Sequence, residues 1–424
     1  MPTQLPDGFT ERDQQLWVEG VSLQALAQTH GTPLFAYSQA AIINALAAYQ
    51  RGLHGRRHLI CYAMKANSSL AILQTLVRAG CGLDIVSGGE LERALRAGVE
   101  ASKVIFSGVG KTRTEMRRAL DVGIGCFNVE SVAELEVLGD VAQGMGLRAP
   151  VSLRVNPNVD AQTHPYISTG LKDNKFGIAH EDVVGAYQRA AAHPGLRVVG
   201  IDCHIGSQIT QAAPYLDAMD RMLDLVQAIE ACGIAIEHID FGGGLGIDYH
   251  GDTPPSADAL WQALLAKLDA RGYGERTICI EPGRSLVGNA GVCLTEVLYL
   301  KPGEHKNFCI IDAAMNDLPR PALYQAYHQI VPVQTPKADT PALTWDVVGP
   351  VCESGDWLGR DRELAVRPGD CLAVMSAGAY CMSMASNYNT RGRAAEVLVA
   401  GERVHVIRER ESAEDLMRSE RPLS

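Results

Sequence analysis

The strongest constraint on the fold is a regular alternation of apolar, strand-like runs with helical patterns. Eight such runs occur, and the first four recur about every 20 residues. Helical patterns such as those over residues 90–98 and 215–232 separate them. This spacing fits βα units with right-handed crossovers, and eight such units close naturally into a barrel. The runs cover residues 59–64, 82–86, 103–107, 125–129, 150–155, 197–203, 236–241 and 277–281.

A doubly wound open sheet is the alternative architecture for such an alternation. That fold usually has fewer strands and a glycine-rich turn after the first one. No such turn follows Lys65, the residue at which the first run ends. We therefore predict an α/β fold in which residues 40–285 form a (β/α)8 TIM barrel.

The pattern changes beyond residue 285 to apolar or alternating runs bounded by Gly or Pro, which are typical of β-strands. A chain of 424 residues is long enough for two domains. We predict a C-terminal β domain, a β-sandwich or barrel, formed by residues 286–424 together with residues 1–39. Its expected strands are at residues 34–37, 290–300, 308–312, 344–348, 371–374 and 395–399, and the tail 402–420 is predicted as a final strand and a solvated helix.

Composition and charge exclude several classes of partner. A net charge of −11 without a basic stripe argues against nucleic acid and anionic membranes. The N-terminus lacks a signal-peptide pattern, and we find no run of about 18 apolar residues, so a cytoplasmic location is expected. The eleven cysteines form no CxxC pair, which predicts reduced thiols rather than disulfides or a zinc site. No metal site is predicted.

The first barrel run ends on a lysine that an apolar strand does not explain. Lys65 lies where α/β barrels place their chemistry, at the carboxyl end of a strand, and is a candidate nucleophile. A lysine that extends to solvent from a strand end would look the same. Position alone does not separate these two interpretations.

Glycines follow the seventh run in the segment Asp240-Phe-Gly-Gly-Gly-Leu-Gly246, and Glu281-Pro-Gly-Arg284 ends the eighth. Backbone N–H groups of such loops close around phosphate oxygens, and the loops after strands 7 and 8 are the usual phosphate site of this barrel. A tight structural turn is the alternative for the glycines alone. In combination with Glu281 and Arg284, the pattern favours a phosphate-bearing ligand.

A nucleophilic lysine and a phosphate site on one barrel rim together indicate pyridoxal phosphate (PLP). His204 ends the sixth run and would stack on the ring of the cofactor, although a structural core histidine is the alternative. Ser207 would donate to the phosphate. Polar residues after the fifth run would line the same mouth or would be ordinary solvated loop residues: Arg154, Asn156 and His164.

Several motifs occur in the order typical of one enzyme family. They are Tyr62-Ala-Met-Lys-Ala-Asn67, Asp84-Ile-Val-Ser-Gly-Gly-Glu90, Thr163 to Gly177, His204-Ile-Gly-Ser-Gln208, Gly242 to Gly246, Glu281 to Arg284, Arg320-Pro-Ala-Leu-Tyr324, Gly349 to Ser354, Gly378-Ala-Tyr380 and Ser386 to Asn389. Over about residues 30–400 the chain resembles the fold-type III PLP-dependent decarboxylases, which have an alanine racemase-like barrel, and within them the diaminopimelate decarboxylase family.

This resemblance implies a role for each matching residue. Lys65 would carry the cofactor, and its other binding residues would be His204, Ser207, Gly244, Glu281, Pro282, Gly283, Arg284 and Tyr380. Glu281 would keep the pyridine nitrogen protonated. Catalysis would rest on Lys65, His204 and Cys352, with Cys352 returning the proton to the reacting carbon. Substrate would be bound by Arg284, Arg320, Tyr324, Glu353 and Tyr380.

The function that the resemblance implies is decarboxylation of meso-2,6-diaminopimelate to L-lysine and CO2, the last step of that lysine pathway. It also implies a homodimer with shared active sites. The alternatives are a related PLP decarboxylase acting on another amino acid or a carrier-bound substrate, and a catalytically silent PLP-binding homologue, which Lys65, Cys352 and Glu353 disfavour. Glu281 argues against an alanine racemase-type reaction.

Overall fold

The computed structural model describes residues 5–159 and 175–423. Its strands are β1 (Phe9–Arg12), β2 (Gln15–Val18), β3 (Val21–Ser22), β4 (Leu34–Ser38), β5 (His58–Ala63), β6 (Gly82–Ile85), β7 (Val104–Phe106), β8 (Cys126–Val129), β9 (Ala149–Asn156), β10 (Ile178–Ala179), β11 (Leu196–Cys203), β12 (His238–Asp240), β13 (Thr277–Ile280), β14 (Gly291–Lys301), β15 (Phe308–Ile311), β16 (Ile330–Pro332), β17 (Leu343–Val348), β18 (Trp357–Leu364), β19 (Cys371–Val374), β20 (Ala395–Ala400) and β21 (Arg403–Arg408).

The helices alternate with the first half of these strands and become rare in the second half. They are α1 (Leu23–His30), α2 (Gln39–Gly52), α3 (Leu70–Arg78), α4 (Gly88–Ala97), α5 (Arg113–Val122), α6 (Val132–Gly144), α7 (Val183–Ala192), α8 (Ala213–Ala231), α9 (Ala257–Ala270), α10 (Arg284–Val287), α11 (Arg320–Tyr324) and α12 (Ala413–Met417).

Eight parallel strands close into the predicted barrel. Their order is β9, β11, β12, β13, β5, β6, β7 and β8, and β8 pairs again with β9. Each predicted run overlaps one of these strands, so the barrel is confirmed and the open sheet is wrong. The strands are apolar because both of their faces are buried, and Cys61, Ile105, Cys126, Val199 and Cys279 form one of the apolar clusters of the barrel.

The barrel helices begin and end where the local sequence supplies caps. Ser87 accepts from the N–H of Glu90 at the start of α4, and Thr112 and Glu115 form a capping box at the start of α5. Glycines in the left-handed conformation end both helices. These caps determine where each helix begins, and so they limit the length of the loop between the helix and the preceding strand.

The β-rich part of the chain includes the N-terminal strand, as predicted. The order of its main sheet is β18, β17, β15, β14, β4, β20 and β21, and β19 pairs with β14 and β16. Strand β4 lies antiparallel to β14 and parallel to β20. A three-stranded sheet contains β1, β2 and β3. The predicted α/β barrel with a separate β domain is therefore confirmed as the fold class.

Contacts divide the described residues into two compact units. The barrel unit comprises Ala45–Ile247 and Thr253–Ser285, and the β unit comprises Met1–Asn44, Asp248–Asp252 and Leu286–Ser424. The domain limits expected from the sequence, 40–285 for the barrel and 1–39 with 286–424 for the β domain, stay a prediction. Among the described helices, none has the length and apolar character required to cross a bilayer.

Candidate active site

Lys65 lies at the carboxyl rim of the barrel, in a short turn that directly follows β5. Its Nζ atom is 2.7 Å from Oδ2 of Asp84, a residue near the end of the neighbouring strand β6. The Asp84 side chain is fully buried, whereas 39% of the Lys65 side chain is exposed. The carboxylate therefore holds the amine at the mouth of the barrel, where a ligand can reach it.

Glu281 directly follows β13 and is buried in the same unit. Asn128 donates its side-chain N–H to Oε1 of Glu281 at 3.0 Å and also contacts the Ser107 hydroxyl at 3.2 Å. Burial raises the pKa of Glu281 well above its ordinary range, and the nearby carboxylates of Asp84, Asp240 and Asp202 raise it further. This carboxyl group therefore retains its proton far more readily than an exposed glutamate.

Two further carboxyl groups lie beside Glu281 and were not identified from the sequence. Asp202 is the last but one residue of β11 and Asp240 ends β12, and carboxylate oxygens of these two residues and of Glu281 all lie within 4.8 Å of one another. Burial raises the pKa of Asp202 to about 7 and that of Asp240 well above its ordinary range. Three carboxyl groups this close and this buried cannot all ionise near neutral pH, so they hold at least part of their protons.

The loops that follow β11 and β12 are joined by backbone hydrogen bonds. Ile209 donates to the carbonyl oxygen of Gly244 at 2.9 Å, and Gly246 donates to that of Ile209 at 3.0 Å. Gly244 has φ +99°, and a Cβ atom there would lie 2.4 Å from the Gly206 carbonyl oxygen. Only glycine fits this close approach, so the predicted phosphate loop is a backbone-lined cradle.

The Glu281–Arg284 turn adjoins both the lysine and the glycine loops. Arg284 begins α10 and donates from Nη2 to the Ser207 hydroxyl at 2.9 Å. The Pro282 carbonyl oxygen accepts from the Ala63 N–H at 3.1 Å. A Cβ atom at Gly283 would lie 3.2 Å from the side chain of Ala63. The turn therefore packs against the end of β5, directly before Lys65, while Arg284 contacts the loop after β11.

His204 is half-buried in that loop and accepts a hydrogen bond at Nδ1 from the Gly243 N–H at 3.3 Å. Burial lowers the pKa of His204 well below its ordinary value, and the positive charges of Arg154 and Lys65 lower it further. The ring is therefore neutral at physiological pH. A flat, uncharged imidazole is suited to stacking on an aromatic ring.

Two of the polar residues at the end of the fifth run, Arg154 and Asn156, are not solvated loop residues. Arg154 and Asn156 are buried within β9, and Nη1 of Arg154 lies 2.9 Å from Oε1 of Glu130. The guanidinium group also lies over the Phe176 ring, 4.9 Å from its centroid. Arg154 thus has an internal charge partner, which the sequence did not indicate. His164 and most of the segment Thr163 to Gly177 lie outside the described residues.

In the β unit, Arg320 begins α11 and only 6% of it is exposed. Its Nη1 atom lies 2.6 Å from Nε2 of His328, and its guanidinium carbon lies over the Tyr249 ring, 4.5 Å from the centroid. No acidic side chain in the described part of the chain forms an ion pair with Arg320. Tyr324 is half-buried at the end of the same helix.

Cys352 and Glu353 lie in an exposed turn of the β unit. The Cys352 N–H donates to the side-chain oxygen of Asn389 at 2.9 Å, and the Tyr388 hydroxyl is hydrogen-bonded to Glu353. Tyr380 is half-buried and has φ +58°, an uncommon backbone conformation for a residue other than glycine. The side chains of Cys352 and Glu353 are therefore accessible from solvent.

Some residues of the site were missed by sequence reasoning although a signal was present. Asp84, Asn128, Asp202 and Asp240 are polar residues at or near the carboxyl ends of otherwise apolar barrel strands. Polar residues in that position of an α/β barrel indicate chemistry. Nothing in the sequence indicated the partners of these residues, nor that His328 would contact Arg320.

The fold and the site define a PLP-dependent enzyme of the α/β-barrel class. The residues present fit the cofactor, because an accessible lysine amine, a glycine cradle and a buried proton-retaining carboxyl group lie on one rim. Residues 39–288 match the family described as pyridoxal-dependent decarboxylase, pyridoxal binding domain. The chain belongs to this family and, as the following relatives show, to its diaminopimelate decarboxylase branch.

The relatives match over almost the whole chain. A diaminopimelate decarboxylase of Pseudomonas aeruginosa is 56% identical over 98% of this chain and 99% of its own length. The structure of diaminopimelate decarboxylase from M. jannaschii in co-complex with L-lysine has a TM-score of 0.94 and 39% identity, and the match covers 99% of each chain. The enzyme from Helicobacter pylori complexed with L-lysine has a TM-score of 0.89 and 41% identity, over 93% of this chain and 98% of the other.

Proposed function

We propose that this protein decarboxylates meso-2,6-diaminopimelate to L-lysine and CO2, the last step of that lysine pathway. The observation that carries the proposal is the 56% identity to a diaminopimelate decarboxylase over 98% of the chain. The geometry of the barrel rim supports it, since a lysine amine, a glycine cradle and a buried glutamate meet there.

Lys65 is the proposed attachment point of PLP, and Gly244, Ser207 and the Glu281–Arg284 turn would hold its phosphate and ring. When bound, the cofactor supplies an electron-withdrawing ring that takes up the electron pair left by the departing carboxylate. His204 would stack on the ring face, where its neutral imidazole would add no charge. Tyr380 would contact both cofactor and substrate.

Glu281 would face the pyridine nitrogen and share a proton with it. Burial and neighbouring carboxylates raise the pKa of Glu281, so this carboxyl group keeps a proton available at that position. Asn128 donates to its Oε1 atom at 3.0 Å and so holds the carboxyl group in place. A protonated ring nitrogen makes the ring a stronger acceptor of the electron pair.

The substrate is bound through charge pairs. Arg284, Arg320, Tyr324, Glu353 and Tyr380 form the proposed set, in which Glu353 pairs with the distal ammonium and Arg320 with the distal carboxylate. The burial of Arg320, without an acidic partner among the described residues, supports this assignment. A buried guanidinium group gains most from an anionic ligand that enters its site.

Cys352 is the proposed donor of the proton to the reacting carbon, and we infer a homodimer in which Cys352 and Glu353 reach the active site of the partner subunit. Their exposure in the single chain supports this arrangement.

We also infer a cytoplasmic location. All eleven cysteines are free thiols, which supports this inference. The sequence-based domain limits, with a barrel over residues 40–285, are part of the same proposal.

The deciding experiment supplies purified protein and PLP separately with meso-diaminopimelate, ornithine, arginine and lysine, and measures CO2 release. Release from meso-diaminopimelate alone supports the proposal. Preferential release from another amino acid would support the rival function of a related decarboxylase, and no release from any of them would leave a silent PLP-binding homologue.

Arg320→Ala is expected to lower kcat/KM for meso-diaminopimelate about 30-fold or more, because substrate binding would lose roughly 2–5 kcal/mol. The absorbance of the bound cofactor should not change.

A further inference from the structure

A buried histidine contacts the proposed carboxylate-binding arginine of the β unit. Nε2 of His328 lies 2.6 Å from Nη1 of Arg320, and His328 has no exposed surface. The other ring nitrogen, Nδ1, lies 2.8 Å from the carbonyl oxygen of Met375. The imidazole therefore bridges Arg320 and the residue that follows strand β19.

The two partners determine the protonation of the ring. A guanidinium group can only donate, so Nε2 must accept and carries no proton. A carbonyl oxygen can only accept, so Nδ1 carries the proton and donates it to Met375. His328 is therefore a neutral imidazole with its proton on Nδ1. Its Nε2 accepts from Arg320 and its Nδ1 donates to Met375.

A neutral histidine beside Arg320 leaves its charge in place, whereas a carboxylate would not. A carboxylate beside Arg320 would neutralise its charge and compete with an incoming anion. His328 instead accepts a hydrogen bond from one N–H of the Arg320 guanidinium group. The positive charge of that group stays available to an anionic ligand. Tyr249 lies across the guanidinium group, and its ring meets that of His328 edge-on, with centroids 5.3 Å apart. The guanidinium is thus restrained without being neutralised.

We propose that His328 is a positioning residue that aims Arg320 at the distal carboxylate of the substrate. This inference rests on the proposed function, in which Arg320 binds that carboxylate. His328 orients the guanidinium plane before the substrate arrives, so less freedom is lost on binding. Its effect falls on substrate affinity and on discrimination against amino acids that lack a distal carboxylate, and not on the cofactor.

Two substitutions of His328 test its two hydrogen bonds independently. The amide of His328→Gln extends to the position of Nε2 and provides an acceptor for Arg320. His328→Asn reaches only the position of Nδ1, so it keeps a donor for Met375 and loses the acceptor. We expect KM for meso-diaminopimelate to rise about 10- to 100-fold in the Asn variant. The Gln variant should stay within about 3-fold of the wild type, and kcat should change little in either.

The measurements are KM and kcat, the absorbance of the bound cofactor and the thermal unfolding midpoint of the holoenzyme. Equal KM values for the Gln and Asn variants would overturn the proposal, since a purely structural histidine does not distinguish its two nitrogens in this way. If both variants also lose the cofactor or unfold early, His328 is structural and the proposal is wrong.

A double-mutant cycle with Arg320→Leu tests whether His328 acts through Arg320. The KM effect of His328→Asn should disappear in the Arg320→Leu background, because the group that it positions is then missing. An undiminished effect would contradict the proposal. If Arg320→Leu itself leaves KM unchanged, the substrate assignment of Arg320 fails. An effect of Arg320→Leu without any effect of His328→Asn contradicts the positioning role alone.

Discussion

Replacing Glu130 by glutamine is expected to destabilise the barrel unit, because Arg154 then loses its charge partner in the interior. The two side chains are 9% and 2% exposed, and Nη1 of Arg154 lies 2.9 Å from Oε1 of Glu130. The second carboxylate oxygen accepts from the Gly177 N–H at 2.9 Å. Both oxygens of the carboxylate therefore have structural partners.

The magnitude follows from the burial of the pair. Removing one member of a buried ion pair typically costs roughly 3–5 kcal/mol, because the other charge is left uncompensated in a medium of low polarity. Glutamine keeps an acceptor oxygen for one hydrogen bond, so we expect the lower end, about 3 kcal/mol. Replacing both residues by apolar side chains, as in Arg154→Met with Glu130→Leu, should recover part of this loss.

The matched control is the surface pair Arg118–Glu92, whose N–O distance of 2.8 Å is similar but whose side chains are 44% and 58% exposed. Glu92→Gln should leave stability unchanged, because water screens this pair.

Trp261 is the one tryptophan among four that belongs to the barrel unit. Fluorescence-detected urea unfolding, with the other three changed to phenylalanine, therefore reports on the barrel. Equal unfolding free energies for Glu130→Gln and Glu92→Gln would refute the reasoning.

Three further outcomes are expected. Borohydride reduction of the holoenzyme and peptide mapping should find the pyridoxyl group on Lys65, and Lys65→Ala should lose turnover; a modified lysine elsewhere would contradict the assignment. Mixing inactive Lys65→Ala and Cys352→Ala chains under subunit exchange should restore partial activity, whereas verified exchange without activity would exclude this form of shared site. The folded pKa of Asp202, about 7, lies above its unfolded value, so the folded state binds the extra proton and this group's contribution to stability falls as pH rises from about 4 to about 7. Asp202→Asn should flatten that decline in urea unfolding of the cofactor-free protein, and an unchanged pH profile would show that Asp202 does not titrate in this way.

The sequence by itself determined the class of fold and the rim on which the chemistry lies. Eight apolar runs with intervening helical patterns admit few architectures, and the carboxyl ends of parallel strands meet at one edge. That is why Lys65, Gly244 and Glu281 could be assigned to one site from their places after strands. Most β strands beyond residue 285 were predicted as well, since Gly and Pro bound those runs, but β16 and β18 were not.

The partners of the site residues were decided only by the tertiary structure. Asn128 and Glu281 are 153 positions apart, and their contact depends on the registers of several strands and on side-chain rotamers that no local pattern encodes. Even Arg320 and His328, eight positions apart, meet because Gln325 turns the chain at φ +54° after α11. Burial then sets the charge of these groups, because the cost of an ionised side chain depends on the atoms packed around it.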